Sequence, residues 1–433
     1  MQEEQSAGQR NGDEAREKLW TPLFVFIIAV SFFTYMVGQG LNAGTSVYLS
    51  YTGYGAALAG FLALLFSVTG ALTRVFIGPY LDIRGRFRIL IVGACIYIAA
   101  TFLPALGLGV AGLVAGRLLQ GIGFAIGTTA SATMASDVPP QSRLGEGIGF
   151  FGLGQAVAMA IGPALALYLV GFDRHETLFV GLTVVAVLAL VSATQCHYET
   201  HIDRLPEHST YRLRAEKKRE AAAGGPDGAE AAKPKPHFTL NSVFERRALV
   251  GAVPALVVCP VFGFGIFFVG LYGTHLGVGT PGIFYTLQAV GMIAVRLASN
   301  RFMDRTDPFK IMTAGCLFGV AGLVMLLLAG TVLHGTAATA VFYLAGLVYG
   351  PCPGLCMPIT STVAVKNTPP ERWGAANSLT LLALDVGIGI ASLVWGVCND
   401  ALGFTVTIPI VILCPLAAIV VSKIMFPKHH TEE

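Results

Sequence analysis

Twelve apolar runs, each long enough to cross a hydrocarbon core, constrain this chain more than any other feature. They begin near Trp20, Ala57, Arg88, Val110, Leu144, Thr177, Arg246, Pro281, Lys310, Thr336, Trp373 and Thr405. A span needs about 20 mostly apolar residues. Lipid offers backbone amides no partners, so each run must satisfy its own hydrogen bonds, and runs this long and continuous fit helices rather than barrel strands. Of 433 residues 54% are hydrophobic and 12% charged, about half the charged share of a soluble domain, roughly 25%. The mean hydropathy is +0.68. A net charge of +3 builds no basic face for phosphates. The lipid bilayer is therefore the expected solvent, and nucleic acid is not an expected partner.

Most separators are a few residues long, but RLRAEKKRE, AAAGGPDGAEAA and KPKP lie in one long polar break with linker composition. The pattern predicts a tail (1–19), a six-helix bundle (20–196), a linker (197–245), a second six-helix bundle (246–426) and a short tail (427–433). Short loops rich in Lys and Arg stay inside. Arg117 lies within a span and Arg174 in an outward loop, while the remaining basic residues fall at or near one side. Both tails and the linker are thus expected in the cytoplasm, in a plasma-membrane protein. The first nineteen residues are more acidic than basic and unlike a cleaved signal. The run Arg212, Arg214, Lys217, Lys218, Arg219 reads as a solvated linker. All eight cysteines fall in or beside apolar stretches, as buried thiols rather than a disulfide framework.

The two halves echo each other. Segment 2 and its following loop read Arg74-Val-Phe-Ile-Gly78-Pro-Tyr-Leu-Asp82-Ile-Arg84-Gly85-Arg86-Phe-Arg88, and segment 8 reads Arg296-Leu-Ala-Ser-Asn300-Arg-Phe-Met-Asp304. Arg and Asp stand eight residues apart in both. Pro139-Pro140-Gln-Ser-Arg143-Leu-Gly145 is matched by Pro369-Pro370-Glu-Arg372-Trp-Gly374. Transporters are commonly built from such repeats, which rock about a shared site.

These residues resemble the major facilitator superfamily, whose loop after helix 2 carries Gly-x-x-x-Asp-Arg-x-Gly-Arg-Arg or a close variant. Gly78, Asp82, Gly85, Arg86 and Arg88 fit it. Arg117-Leu-Leu-Gln120-Gly121 resembles that family's Arg-x-x-Gln-Gly motif. Gly162-Pro163 resembles a motif of its proton-coupled drug and metabolite antiporters, although two later glycines of that pattern are Ala166 and Leu167 here. The resemblance implies an all-α integral membrane fold of twelve transmembrane helices in two pseudo-symmetric six-helix bundles. It also nominates the loop as a conformational latch. Asp82 would cap the start of helix 11 near Gly374, since a helix N-terminus offers free amides and a favourable dipole. Arg86 is able to fork onto a carboxylate, and Asp137 is the nearest candidate.

Charges inside the membrane call for a reading each. Asp385 is twelve residues from Trp373, about 18 Å along a helix, and so near the midplane. Desolvation there makes its ionised form costly, which suits a proton-coupling carboxylate. Arg117 is expected to serve it, or to clamp substrate; the alternative is a static ion pair. Tyr35, Gln39 and Asn42 share one helix face, as do Phe264, Phe268, Tyr272 and His275, and as do Tyr285, Gln288 and Met292. In the family, helices 1, 4, 7 and 10 face a central cavity. The resemblance therefore places Tyr35, Gln39, Asn42, Arg117, Gln120, Phe264, Phe268 and Tyr272 around substrate, with His275 as an interfacial residue. Helix breaks are expected at Gly162-Pro163 and at Pro351 and Pro353. Cys352 and Cys356 beside Met357 lack a third strong ligand and read as packing, so no metal is expected.

With no Walker-type phosphate loop and no nucleophile–base cluster, neither ATP drive nor catalysis is indicated. The expectation is a secondary transporter, monomeric and without cofactor, that exports a small organic molecule in exchange for protons by alternating access. An importer, a passive facilitator and a transport-inactive scaffold are the alternatives.

Overall fold

The computed structural model describes residues 19–140, 143–172, 174–197, 212, 245–299, 306–369 and 373–426. Residues 1–18 and 427–433 of the expected tails and most of the linker lie outside the described residues, and of Gly78, Asp82 and Gly374 only the helical backbone is described. Among the described residues twelve apolar helices follow in order, two of them in two pieces. They are α1 (Pro22–Tyr51), α2 (Ala56–Arg84), α3 (Arg86–Phe102), α4 (Gly109–Asp137), α5 (Leu144–Val170) and α6 (Thr177–Thr194). After the linker come α7 in two pieces (Leu249–Phe267 and Val269–His275), α8 (Gly282–Ser299) and α9 (Pro308–Thr331). The last three are α10 in two pieces (Gly335–Tyr349 and Pro351–Lys366), α11 (Trp373–Leu402) and α12 (Phe404–Met425). Among the described residues there is no strand. Eleven of these elements are long and apolar enough to span a membrane, counting α10 as one span. The remaining helix, α8, is continuous but shorter, and its Gln288 and Arg296 line the cavity described below.

Burial is inverted relative to a soluble protein. Ile424, Leu413 and Tyr168 stand exposed on the surface, whereas Arg86, Arg117, Gln120 and Asp137 are buried. Between helices in lipid there is little hydrophobic drive, so small residues that let backbones approach carry much of the packing. A Cβ at Gly162 has no room against the Met36 carbonyl where α5 crosses α1. Gly60 and Gly396 bring α2 and α11 together across the bundle interface.

Of the expected proline-linked breaks, the one in α10 falls at Gly350, immediately before Pro351, whereas the one in α5 is absent. α5 runs through Gly162-Pro163 with Pro163 inside the helix. Pro351 occupies the first position of the second piece of α10, where its missing N–H is no loss. The turn across it holds, with the Gly350 amide donating to Gly346 at 3.0 Å and the Gly354 amide to Gly350 at 3.3 Å. An interruption the sequence analysis missed falls in α7 at Phe268 (φ −117°). All eight cysteines are free thiols. Cys316 and Cys356 lie 4.0 Å apart, sulfur to sulfur, in the α9–α10 packing. Cys95 is exposed on a membrane helix rather than buried.

Candidate functional site

Between the bundles lies a cavity of about 210 Å³, walled by α1, α2, α4, α5, α7, α8, α10 and α11. It shares Gly152, Ala156, Arg296, Met357, Leu381 and Leu384 with a 690 Å³ vestibule. That vestibule also touches Glu146 at the start of α5. The cavity therefore opens toward the end of the molecule where α1 begins and α12 ends. Toward the other end it narrows to a hollow of about 20 Å³ beside Tyr285.

Beyond that hollow the far end is closed by contacts between bundles. The Asp400 carboxylate, near the end of α11, accepts from the Ala56 amide at 2.6 Å and the Ala57 amide at 2.7 Å. These are free N–H groups in the first turn of α2, so a carboxylate from one bundle caps a helix of the other.

At the cavity wall, Asp385 of α11 pairs with Arg74 of α2. The pair joins the two bundles at cavity depth, with the Arg74 guanidinium 5.8 Å from the centre of the Phe124 ring. The side chains are 21% and 23% exposed, which leaves the pair reachable from the cavity. Tyr35 and Gln39 also line it, and so do Gln155 and Gln288. The Gln155 amide donates to Ser31 at 3.1 Å. The side-chain oxygen of Gln288 is buried and meets no donor among the described residues.

The partner of Asp385 is thus Arg74, and Arg117 lies elsewhere. Arg117 donates to the Asn42 side-chain oxygen at 3.0 Å and to the Leu41 carbonyl at 2.7 Å, with its guanidinium 5.8 Å from the Phe66 ring centre. Gln120 donates to the Ala100 carbonyl at 3.2 Å. Asn42, Arg117 and Gln120 therefore tie α4 to α1 and α3 and are not among the cavity-lining residues. Phe264, Phe268 and Tyr272 are withdrawn as well. They are buried, Tyr272 donates to the Leu326 carbonyl at 3.0 Å, and Phe264 and Tyr272 pack on Phe404. His275 packs on the same ring. The reason is geometric: a rotation of the helix by less than half a turn decides whether a stripe faces a cavity or its own bundle, and spacing alone does not set that rotation.

Of the loop residues, Gly85 links α2 to α3 with φ +91°, a conformation that favours glycine. Arg86 is buried and pairs with Asp137 at the end of α4, and Arg88 is exposed. Two charged cavity residues, Arg74 and Arg296, were counted from sequence only among the basic residues at or near one side, and Gln155 was not singled out. The signal of the two arginines was the shared position eight residues before Asp82 and Asp304, about 12 Å inward from the loop. Because both are long side chains on facing helices, they reach the cavity rather than the membrane surface.

Replacing Arg117 by lysine is expected to weaken the protein rather than the site. An ammonium cannot span both oxygens, so an acceptor is left buried at a cost of about 1–3 kcal/mol. Thermal unfolding of the purified variant should fall while ligand affinity per folded molecule holds; an unchanged midpoint speaks against this role.

Residues 26–392 match the family model described as Major Facilitator Superfamily. The staphylopine export protein of Staphylococcus aureus is 22% identical over 425 residues, covering 95% of this chain and 97% of that protein. The uncharacterized MFS-type transporter YhhS of Escherichia coli is 24% identical over 416 residues, covering 93% and 91%. Among solved structures, a bacterial homologue of the human lysosomal transporter Spinster, inward-facing and unoccupied, aligns with a TM-score of 0.70 at 14% identity, covering 93% of this chain and 96% of that one. The nucleoside transporter NupG aligns at 0.68 and 13% identity, covering 94% and 100%.

Proposed function

This chain belongs to the Major Facilitator Superfamily, and from that premise we propose that it exports a small organic molecule in exchange for protons. The family makes it a multi-pass membrane transporter of small molecules and not an enzyme. The finer reading rests on the Arg74–Asp385 pair. Asp385 is the one carboxylate among the described residues that line the cavity. It is held across the bundle interface and is open to the cavity, so a proton arriving there removes a tie between the bundles. Substrate and proton take turns at that carboxylate. Export follows the relative that is named as an export protein. The side onto which the cavity opens is read as cytoplasmic, the side on which both tails and the linker are expected.

The test is flux in proteoliposomes of the full chain under an imposed pH gradient, with substrates drawn from metabolites that accumulate in cells lacking the protein. Acceleration that collapses with a protonophore supports exchange. Equal flux with and without the gradient favours passive facilitation.

Asp400 supplies the gate at the closed end. Losing a capping carboxylate weakens a helix start by about 1 kcal/mol, so Asp400→Ala should shift the two-state balance about fivefold toward outward opening. A cysteine placed at Gln39 should then react faster with a membrane-impermeant maleimide added from outside. Unchanged reactivity removes Asp400 from the gate.

A further inference from the structure

The closed end of the cavity is built differently from its middle. Gln39, Met159, Ile266, Gln288 and Met292 line both the 210 Å³ cavity and the hollow of about 20 Å³ beyond it. Among the described residues no charged side chain lines the hollow, so an ionised group of a solute would stand there uncompensated in a chamber set in lipid, which is costly. Two primary amides line it instead, Gln39 from α1 and Gln288 from α8. The Tyr285 hydroxyl is already committed, accepting from the Gly270 amide at 3.1 Å and donating to the Ile266 carbonyl at 3.3 Å. The Gln288 oxygen is not. It is buried and meets no donor among the described residues, and Gln39 does not supply one although it lines the same hollow. A buried acceptor is costly to leave so, and a ligand N–H relieves that cost. A hollow of about 20 Å³ holds roughly one water-sized group, enough for a nitrogen head and no more. Toward the middle the wall is apolar and carries Met159 and Met292, whose flexible thioethers suit aromatic rings.

We propose that the closed end of the cavity recognises an uncharged amide edge, an N–H beside a C=O, on a flat aromatic body: an aromatic carboxamide or a lactam-edged heterocycle. The ligand N–H donates to the Gln288 oxygen, the Gln39 amide donates to the ligand carbonyl, and the ring lies against Met159 and Met292. A glutamine side chain offers both donors and an acceptor, and a head that answers two of them must offer both as well. A carboxylate presents acceptors alone and an ammonium donors alone, each with a charge that the hollow does not neutralise. This rests on the reading that the cavity is the substrate site, and the remainder of the solute reaches back to Asp385, where exchange takes place. Because Gln39 and Gln288 belong to different bundles, the bound head joins them at the end that must open for release.

The test is binding without a gradient, so that its failure is distinct from a failure of proton-coupled export. Purified full-length protein in micelles at neutral pH is titrated with four probes built on one ring, benzamide, methyl benzoate, benzoate and benzylamine, and ligand-induced thermal stabilisation is read for each. Benzamide is expected to bind about tenfold tighter than methyl benzoate, which keeps the carbonyl and lacks the N–H, as one buried hydrogen bond predicts. Benzoate and benzylamine, both ionised, should bind more weakly than either. Gln288→Leu keeps the bulk and removes the acceptor. It should lower benzamide affinity about tenfold and leave methyl benzoate unchanged, which erases the preference between them. Its ligand-free unfolding midpoint should hold, because the oxygen removed has no donor to lose, and that measurement separates lost binding from lost folding. Equal binding of benzamide and methyl benzoate, tighter binding of benzoate or benzylamine, or no stabilisation by any probe overturns the proposal. So does Gln288→Leu with its preference for benzamide intact.

Discussion

Asp385→Asn is expected to abolish proton-driven transport while leaving a folded protein. Asparagine keeps the shape of the side chain and a hydrogen bond to Arg74 but cannot bind a proton. A pH step of one unit is worth about 1.4 kcal/mol per proton. One proton exchanged per substrate thus allows the wild type up to about tenfold accumulation across that step, and the variant should accumulate none. Its residual substrate–substrate exchange should also be flat with pH, because the group that titrates is gone. The measurement is accumulation in proteoliposomes with and without the imposed gradient. Equal gradient-driven accumulation in the variant and the wild type returns Asp385 to a structural polar contact.

The second large effect belongs to Arg74. Arg74→Gln leaves the Asp385 carboxylate at cavity depth without its counter-charge. Breaking a buried pair by removing one partner costs about 3–5 kcal/mol, and access to the cavity lowers that to about 2 kcal/mol. A loss of that size is roughly thirtyfold in the population of the competent state. Transport should fall at least that far, with a lower unfolding midpoint. The double variant Arg74→Gln with Asp385→Asn removes both charges and should regain much of the midpoint but not the gradient dependence. A double-mutant cycle reads the coupling directly. Strictly additive effects on the midpoint mean that the two side chains do not depend on one another, and the ion pair then carries no mechanism.

These expectations turn on contacts between bundles, and that is where sequence and structure part company. Each helix is a local matter. In lipid an apolar run of some twenty residues has no alternative to hydrogen-bonding within itself, so the spans were legible: the starts expected near Ala57, Leu144, Thr177 and Trp373 fall within a residue of helices beginning at Ala56, Leu144, Thr177 and Trp373. Asp385 was legible as an intramembrane carboxylate for the same reason, since its depth follows from counting residues along one helix. The repeat was legible too, because it is written in residue types at fixed spacing.

Partnership was not. Arg117 and Arg74 are both arginines in transmembrane helices of one bundle, and only the rotation and packing of α2 and α4 against their neighbours puts Arg74 on Asp385 and Arg117 on Asn42. The same applies to Phe264 and Tyr272, whose common face looks toward Phe404 instead of the cavity. Likewise Asp400, unremarkable among loop-end acids in the sequence, becomes an interbundle cap because α11 ends where α2 begins. Sequence determined how many helices this chain forms, where they start, and which of their residues are costly to hold in lipid, because those are properties of one segment and its solvent. Tertiary structure decided which costly residues meet, because residues three hundred positions apart are brought together only by the packing of whole helices, to which many weak contacts contribute and no single motif corresponds.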